Sequence, residues 1–78
     1  MTVSEKCEHL HISFDRELTE FFPVRSSMEI VLDRRASIKD IIESTGVPHT
    51  EVGRIEADGE ESGFEYIPRP GQQVCVYA

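Results

Sequence analysis

Ser37-Ile38-Lys39-Asp40-Ile41-Ile42-Glu43-Ser44-Thr45-Gly46-Val47-Pro48 contains the start, the buried face and the end of one helix. Ser37 can accept hydrogen bonds from the freed backbone N–H groups of a first turn, and an acid follows three residues on. Ile38, Ile41 and Ile42 fall at i, i+3 and i+4 and form an apolar stripe. Gly46 suits the left-handed position past a helix end, and Val47-Pro48 stops continuation. Such a helix has only about two turns and is unstable alone, so its three isoleucines must be packed onto something.

The flanking sequence supplies a sheet. From Glu8 to Phe14, Leu10, Ile12 and Phe14 alternate with His9, His11 and Ser13, the period of a strand with one buried face. Met28, Ile30 and Leu32 repeat the pattern, with Glu29, Val31 and Asp33 on the other side. Between these runs, Asp15 to Ser27 contains Leu18, Phe21, Phe22 and Pro23 and reads as a loop or short helical turn that tucks its aromatics under the sheet. His49 to Gly53 is a connector. Arg54 to Ala57 is a short strand with Ile55 and Ala57 inward, and Asp58-Gly59 marks a tight turn. Glu60 to Phe64 returns as a charged edge strand whose carboxylates discourage edge-to-edge association. Pro68-Arg69-Pro70-Gly71 is a rigid turn. Gln73 to Tyr77 closes the chain, with Val74 and Val76 inward and Gln73, Cys75 and Tyr77 outward.

Strands surrounding one helix imply an α+β fold, a four- to five-stranded mixed sheet packed on that helix. The last strand can lie parallel to the first in the middle of the sheet, which is the β-grasp arrangement of ubiquitin. The expected interior is Leu10, Ile12, Phe14, Ile30, Leu32, Ile38, Ile41, Ile42, Ile55, Val74 and Val76.

Size and charge bound the function. The 78 residues make one domain, 1–78, with 1–7 expected to be a loosely ordered N-terminus, and 38% hydrophobic content supports a folded core. A chain of this length lacks room for a deep enzyme cleft with its supporting shell. Eight basic residues against fifteen acidic ones give a net charge of −7, which opposes direct binding to phosphate backbones. No apolar run reaches the ~18–20 residues of a membrane span, and Met1 to Glu8 has no signal-peptide core. The expectation is a cytoplasmic monomer with no membrane association and two free thiols, Cys7 and Cys75.

Three groups of side chains have functional potential. Cys7, His9 and His11 share one face of the first strand, and Cys75 joins it if the last strand lies alongside. Zinc accepts that ligand mix, but the spacing matches no established zinc motif, so the face reads as exposed polar surface and no metal or cofactor is assigned. His49 reads as a loop anchor near a helix C-terminus, with no nucleophile or carboxylate placed beside it for a catalytic role. The acidic group Glu56, Asp58, Glu60 and Glu61 reads as a solvated hairpin. With Glu51 and Glu65 it leaves residues 51–65 at −5, six acids against Arg54 alone, a region that can steer a basic partner. The outward face holding His11, Val31, Cys75 and Tyr77 is the second candidate docking surface.

The helix string, continued through His49-Thr50-Glu51-Val52, resembles the ubiquitin-like domain fused to Mut-seven C-terminal ribonuclease domains. Asp58-Gly59, Phe64-Glu65-Tyr66 and Val74-Cys75-Val76-Tyr77 carry the same resemblance, which spans roughly residues 8 to 78. Gly46-Val47-Pro48-His49-Thr50-Glu51-Val52 is its most specific piece. More broadly the chain is similar to the MoaD/ThiS group of sulfur carriers. The resemblance implies a non-enzymatic interaction module whose protein partner is a ribonuclease domain with a basic surface. Two positions depart from these families. Sulfur carriers end in Gly-Gly, whereas this sequence ends Val76-Tyr77-Ala78, which disfavours the alternative reading as a carrier. Pro70-Gly71-Gln72 stands where an acidic Asp-Gly-Asp turn is more usual, which keeps the turn and removes charge.

Overall fold

The computed structural model describes residues 8–32 and 35–78. The expected looseness of residues 1–7 lies outside them. Five strands form one mixed sheet: β1 (His9–Phe14), β2 (Ser27–Val31), β3 (Arg54–Ala57), β4 (Glu60–Ser62) and β5 (Gln73–Tyr77), in the spatial order β2-β1-β5-β3-β4. β1 and β5 are the parallel central pair, with Ile12 opposite Val74 and Phe14 opposite Val76. β2 is antiparallel to β1, and β3 is antiparallel to both β5 and β4. Helix α2 (Ile38–Ser44) buries its isoleucine stripe against this sheet, in a β-grasp fold.

Both ends of α2 follow from its sequence. Ser37 Oγ accepts the Asp40 backbone N–H at 3.3 Å, and Gly46 takes φ +103° beyond the last turn. The first-turn N–H groups that a helix leaves unpaired are satisfied from outside it. Ile38 N–H donates to the Tyr66 carbonyl (2.7 Å) and Lys39 N–H to that of Phe64 (3.1 Å). The same bonds explain why β4 stops at Ser62 rather than reaching Phe64, as the sequence suggests. The Phe64 carbonyl closes the helix instead of extending the ladder, and a turn from Gly63 to Tyr66 leads into it.

Nine of the eleven residues expected inside are buried; Ile30 and Leu32 are only half-buried. They face inward, but β2 is an edge strand and α2 does not cover it fully. Leu18, Val47 and Ala57 complete the buried apolar set. Leu18 comes from a second helix, α1 (Arg16–Phe21), capped by Asp15, so the sheet packs with more than one helix. The aromatics of this segment separate. Phe22, where the chain leaves the helix in extended conformation, packs on the core, whereas Phe21 is 77% exposed rather than tucked under the sheet. A 3₁₀ turn, His49–Glu51, follows α2. Among the described residues no helix is long and apolar enough to cross a membrane.

Candidate partner-docking face

The sheet face away from α2 is open, and the register fixes what stands on it. On the β2 side, Val31 is opposite His9 and Glu29 is opposite His11. On the β5 side, Cys75 lies between Ser13 of β1 and Glu56 of β3, and Glu56 is in turn opposite Glu61 of β4. Tyr77 is opposite Arg54.

The two ends of this face have different chemistry. At the β2 end, His11 Nδ1 lies 3.1 Å from Glu29 Oε2, and Val31 is 61% exposed. At the β3 end, the Arg54 guanidinium carbon sits 4.3 Å from the centroid of the Tyr77 ring. Arg54 Nε lies 3.5 Å from Glu56 Oε2, and the Tyr77 hydroxyl donates to Glu56 Oε1 at 3.5 Å. The Glu56 charge, together with desolvation and Cys75, raises the Tyr77 pKa above its ordinary value. The phenol therefore stays a neutral donor. Cation over ring, carboxylate beside both: the cluster presents a fixed aromatic edge, the kind of group that anchors protein interfaces.

The acidic stretch has two settings, and Glu61 borders both. Glu56 and Glu61 stand together on the outer face, where like charges directly opposite each other repel and Arg54 offsets them. Glu60 pairs with inward-facing Ala57, and with Asp58 and Glu61 it lines a cavity of about 410 Å³ that Tyr66, Arg69 and Gln72 also wall. Asp58 is occupied by the fold. Its Oδ1 accepts the Gln73 backbone N–H (2.9 Å) and its Oδ2 the Gln72 side-chain amide (3.1 Å). These two bonds hold its carboxyl below the usual aspartate range.

The candidate metal ligands are not gathered. Cys75 is level with Ser13 and Glu56 rather than with His11, and Cys7 lies outside the described residues. Among the described residues, no group of three or more His, Cys, Asp or Glu side chains is placed to hold a metal. The structure does place a carboxylate beside His49, unlike the sequence pattern, because the turn after α2 folds back on the helix: Nδ1 and the backbone N–H both meet Glu43 Oε2, and the ring packs edge-on against Phe64 at 5.4 Å. The His49 bonds hold the Glu43 carboxyl below its ordinary pKa.

Two residues of this region have little signal in the linear sequence. Arg54 joins Tyr77 only through the β3–β5 register. Gln72, 8% exposed, is a buried junction whose Oε1 accepts both the Tyr66 hydroxyl and the Arg69 N–H at 2.8 Å, while its Nε2 reaches Asp58. The only hint of it was the neutral Gln72 in a turn where acid is more usual.

The family model described as Mut7-C ubiquitin matches residues 7–78. No curated protein and no solved structure matches the chain. With the β-grasp topology and a family match spanning nearly the whole sequence, the chain belongs to the Mut7-C ubiquitin family.

Proposed function

We propose that this domain is a non-enzymatic protein-interaction module that docks a ribonuclease domain of the Mut-seven C-terminal type, in cis or in trans, through the outer sheet face. The observation that carries this reading is the Arg54–Tyr77–Glu56 cluster: an aromatic ring held in one position by a cation and a carboxylate. Because the ring is already ordered, docking costs little further side-chain entropy. Glu56 and Glu61 on the same face, and the net charge of −7, select a partner with a basic surface. The same charge opposes direct contact with RNA, so the module acts by positioning its partner, as a cytoplasmic monomer.

The test is titration of ¹⁵N-labelled protein with a recombinant ribonuclease domain of that type. Amide shifts should cluster on Glu56, Cys75 and Tyr77, and Tyr77→Ala should weaken the complex at least tenfold. No complex at ~100 μM, or shifts confined to other faces, would refute the reading. A salt-sensitive complex with RNA alone would refute it as well.

A further inference from the structure

The two edges of the sheet are built differently. β4 is three residues long and presents Glu60 and Glu61, so it resists an added strand. β2 is longer, and its one charged side chain, Glu29, is engaged with His11 on the outer face. The Leu32 N–H donates to the Glu8 carbonyl, and Ser26 accepts from Phe14 N–H. In an antiparallel pair the bonding direction alternates, so the even-numbered positions of β2 bond β1. The backbone groups of Ser27, Glu29 and Val31 therefore point away from the sheet.

Below this edge the core is incompletely covered. Met28, Ile30 and Leu32 are half-buried, and a cavity of about 190 Å³ between β2 and α2 is lined by Ile30, Val31, Leu32, Ala36 and Ile41, with Asp40 and Ser44 on its α2 side. Leu32 and Ala36 also line a second cavity, of about 490 Å³, whose other walls are Ile67, Pro68 and Pro70 and whose charged residues are Arg35, Arg69 and Glu8. The two cavities share Leu32 and Ala36 as walls, so a groove apolar along these residues lies under the β2 edge, with Asp40 beside the first cavity and Arg35, Arg69 and Glu8 around the second.

We propose that this edge and groove take an extended segment of a partner protein, apolar at alternate positions and acidic at the end that reaches Arg35 and Arg69. Main-chain bonds to Ser27, Glu29 and Val31 would supply affinity, and side chains at every second position would fill the groove. The arginines set the register and select the acidic end. In a chain of eight basic and fifteen acidic residues, two arginines against Glu8 alone give the second cavity a positive lining, opposite in sign to the chain as a whole. A second copy fits less well, because each copy has a net charge of −7. This surface is distinct from the Tyr77 cluster, and its test is independent of that reading.

The probe is a short synthetic peptide alternating threonine and valine and closing in aspartates, together with its counterpart carrying the aspartates first. With ¹⁵N- and methyl-labelled protein, the expected shifts fall on the amides of Ser27, Glu29 and Val31 and the methyls of Ile30, Leu32 and Ile41. Val31→Pro removes an outward N–H while keeping edge-strand geometry, and should weaken binding at least tenfold. If that variant fails to fold, N-methylating alternate amides of the peptide removes the same class of bonds from the other side and should have the same effect. Arg35→Glu with Arg69→Glu should cost about tenfold against the aspartate peptide and nothing against its asparagine version. No shifts at ~1 mM peptide, shifts confined to another face, indifference to both backbone changes, or self-association of the chain through β2 would each overturn the proposal.

Discussion

The Gln72 side-chain amide donates to Asp58 Oδ2 at 3.1 Å and ties the loop before β5 to the turn between β3 and β4. That one amide serves as donor to Asp58 and as acceptor for Tyr66 and Arg69. A carboxylate can only accept, so Gln72→Glu would put two negative groups in contact. Gln72→Glu should destabilise the domain at neutral pH, and the loss should shrink as the pH falls through the carboxylate range. Gln72→Ala strands the Tyr66 hydroxyl and the Arg69 N–H and should cost about 2–3 kcal/mol at neutral pH, with only the part that comes from the lost Asp58 contact fading as that carboxyl is protonated. Urea unfolding of the three proteins at neutral and acid pH checks both expectations.

Asp58 is the matching half of the contact. Its carboxyl is held below its ordinary value of 3.8 by the Gln73 N–H first and the Gln72 amide second. A carboxyl with a depressed folded pKa stabilises the fold in its charged form. That contribution is fully present above 3.8 and is lost as the pH falls from there through the lower folded value. Asp58 also sits at φ +51° in a turn whose next residue, Gly59, has φ +86°. Asparagine tolerates the same backbone. Asp58→Asn should therefore keep the fold and flatten the acid limb of the stability–pH curve, measured by denaturant unfolding at steps of pH.

The features legible in the sequence are those set by neighbours along the chain. Ser37, the isoleucine stripe and Gly46 define α2 within ten residues, and the bounds of β3 and β5 follow from short alternating runs. The parallel pairing of first and last strands followed from element order. What sequence reading missed depends on partners far along the chain. β4 is shortened because the Phe64 carbonyl is needed by α2. Ile30 and Leu32 carry the right periodicity for core residues, yet periodicity cannot say that their strand lies at the rim. The outer face was recognisable from His11, Val31, Cys75 and Tyr77, but the Arg54–Tyr77 stack exists only because of one register.

The difference between centre and rim is measurable. Ile42 is fully buried, so Ile42→Ala leaves a cavity the surrounding core cannot fill and should cost about 3–4 kcal/mol. Leu32 is the same size but half-exposed at the edge of the groove, and Leu32→Ala should cost about half as much. Equal losses in thermal or chemical unfolding would mean that the groove beside β2 is closed in solution.

Ser62 offers the opposite sign. Its hydroxyl oxygen is buried, opposite Ile55 at the end of β4, with no hydrogen-bond partner among the described residues. Burial of an unsatisfied hydroxyl is unfavourable, so Ser62→Ala should leave stability unchanged or raise it by up to about 1 kcal/mol. The comparison is the urea midpoint of the variant against that of the parent. A loss above that size would show that the hydroxyl has a partner in solution.

Gly53 is required by the close approach of the chain end. A Cβ built there would lie 2.7 Å from the Ala78 carbonyl oxygen and 2.9 Å from its carbon. The approach is tight because Gly53 N–H donates to the Tyr77 carbonyl at 2.8 Å while Ala78 N–H donates to Asp15 Oδ2 at 3.0 Å. The backbone at Ala78 is thus held from two sides and cannot swing away cheaply. Gly53→Ala should cost about 1–3 kcal/mol through this overlap, rather than through any change in helix or strand propensity. The cause is separable. Deleting Ala78 alone loses the Asp15 bond, but in that background Gly53→Ala no longer meets the obstructing carbonyl. The penalty of Gly53→Ala should therefore fall to within about 0.5 kcal/mol of zero in the shortened chain, a coupling that a double-mutant cycle reads directly. An undiminished penalty would assign the effect to the loop from Val52 to Arg54 and not to the docked end of β5.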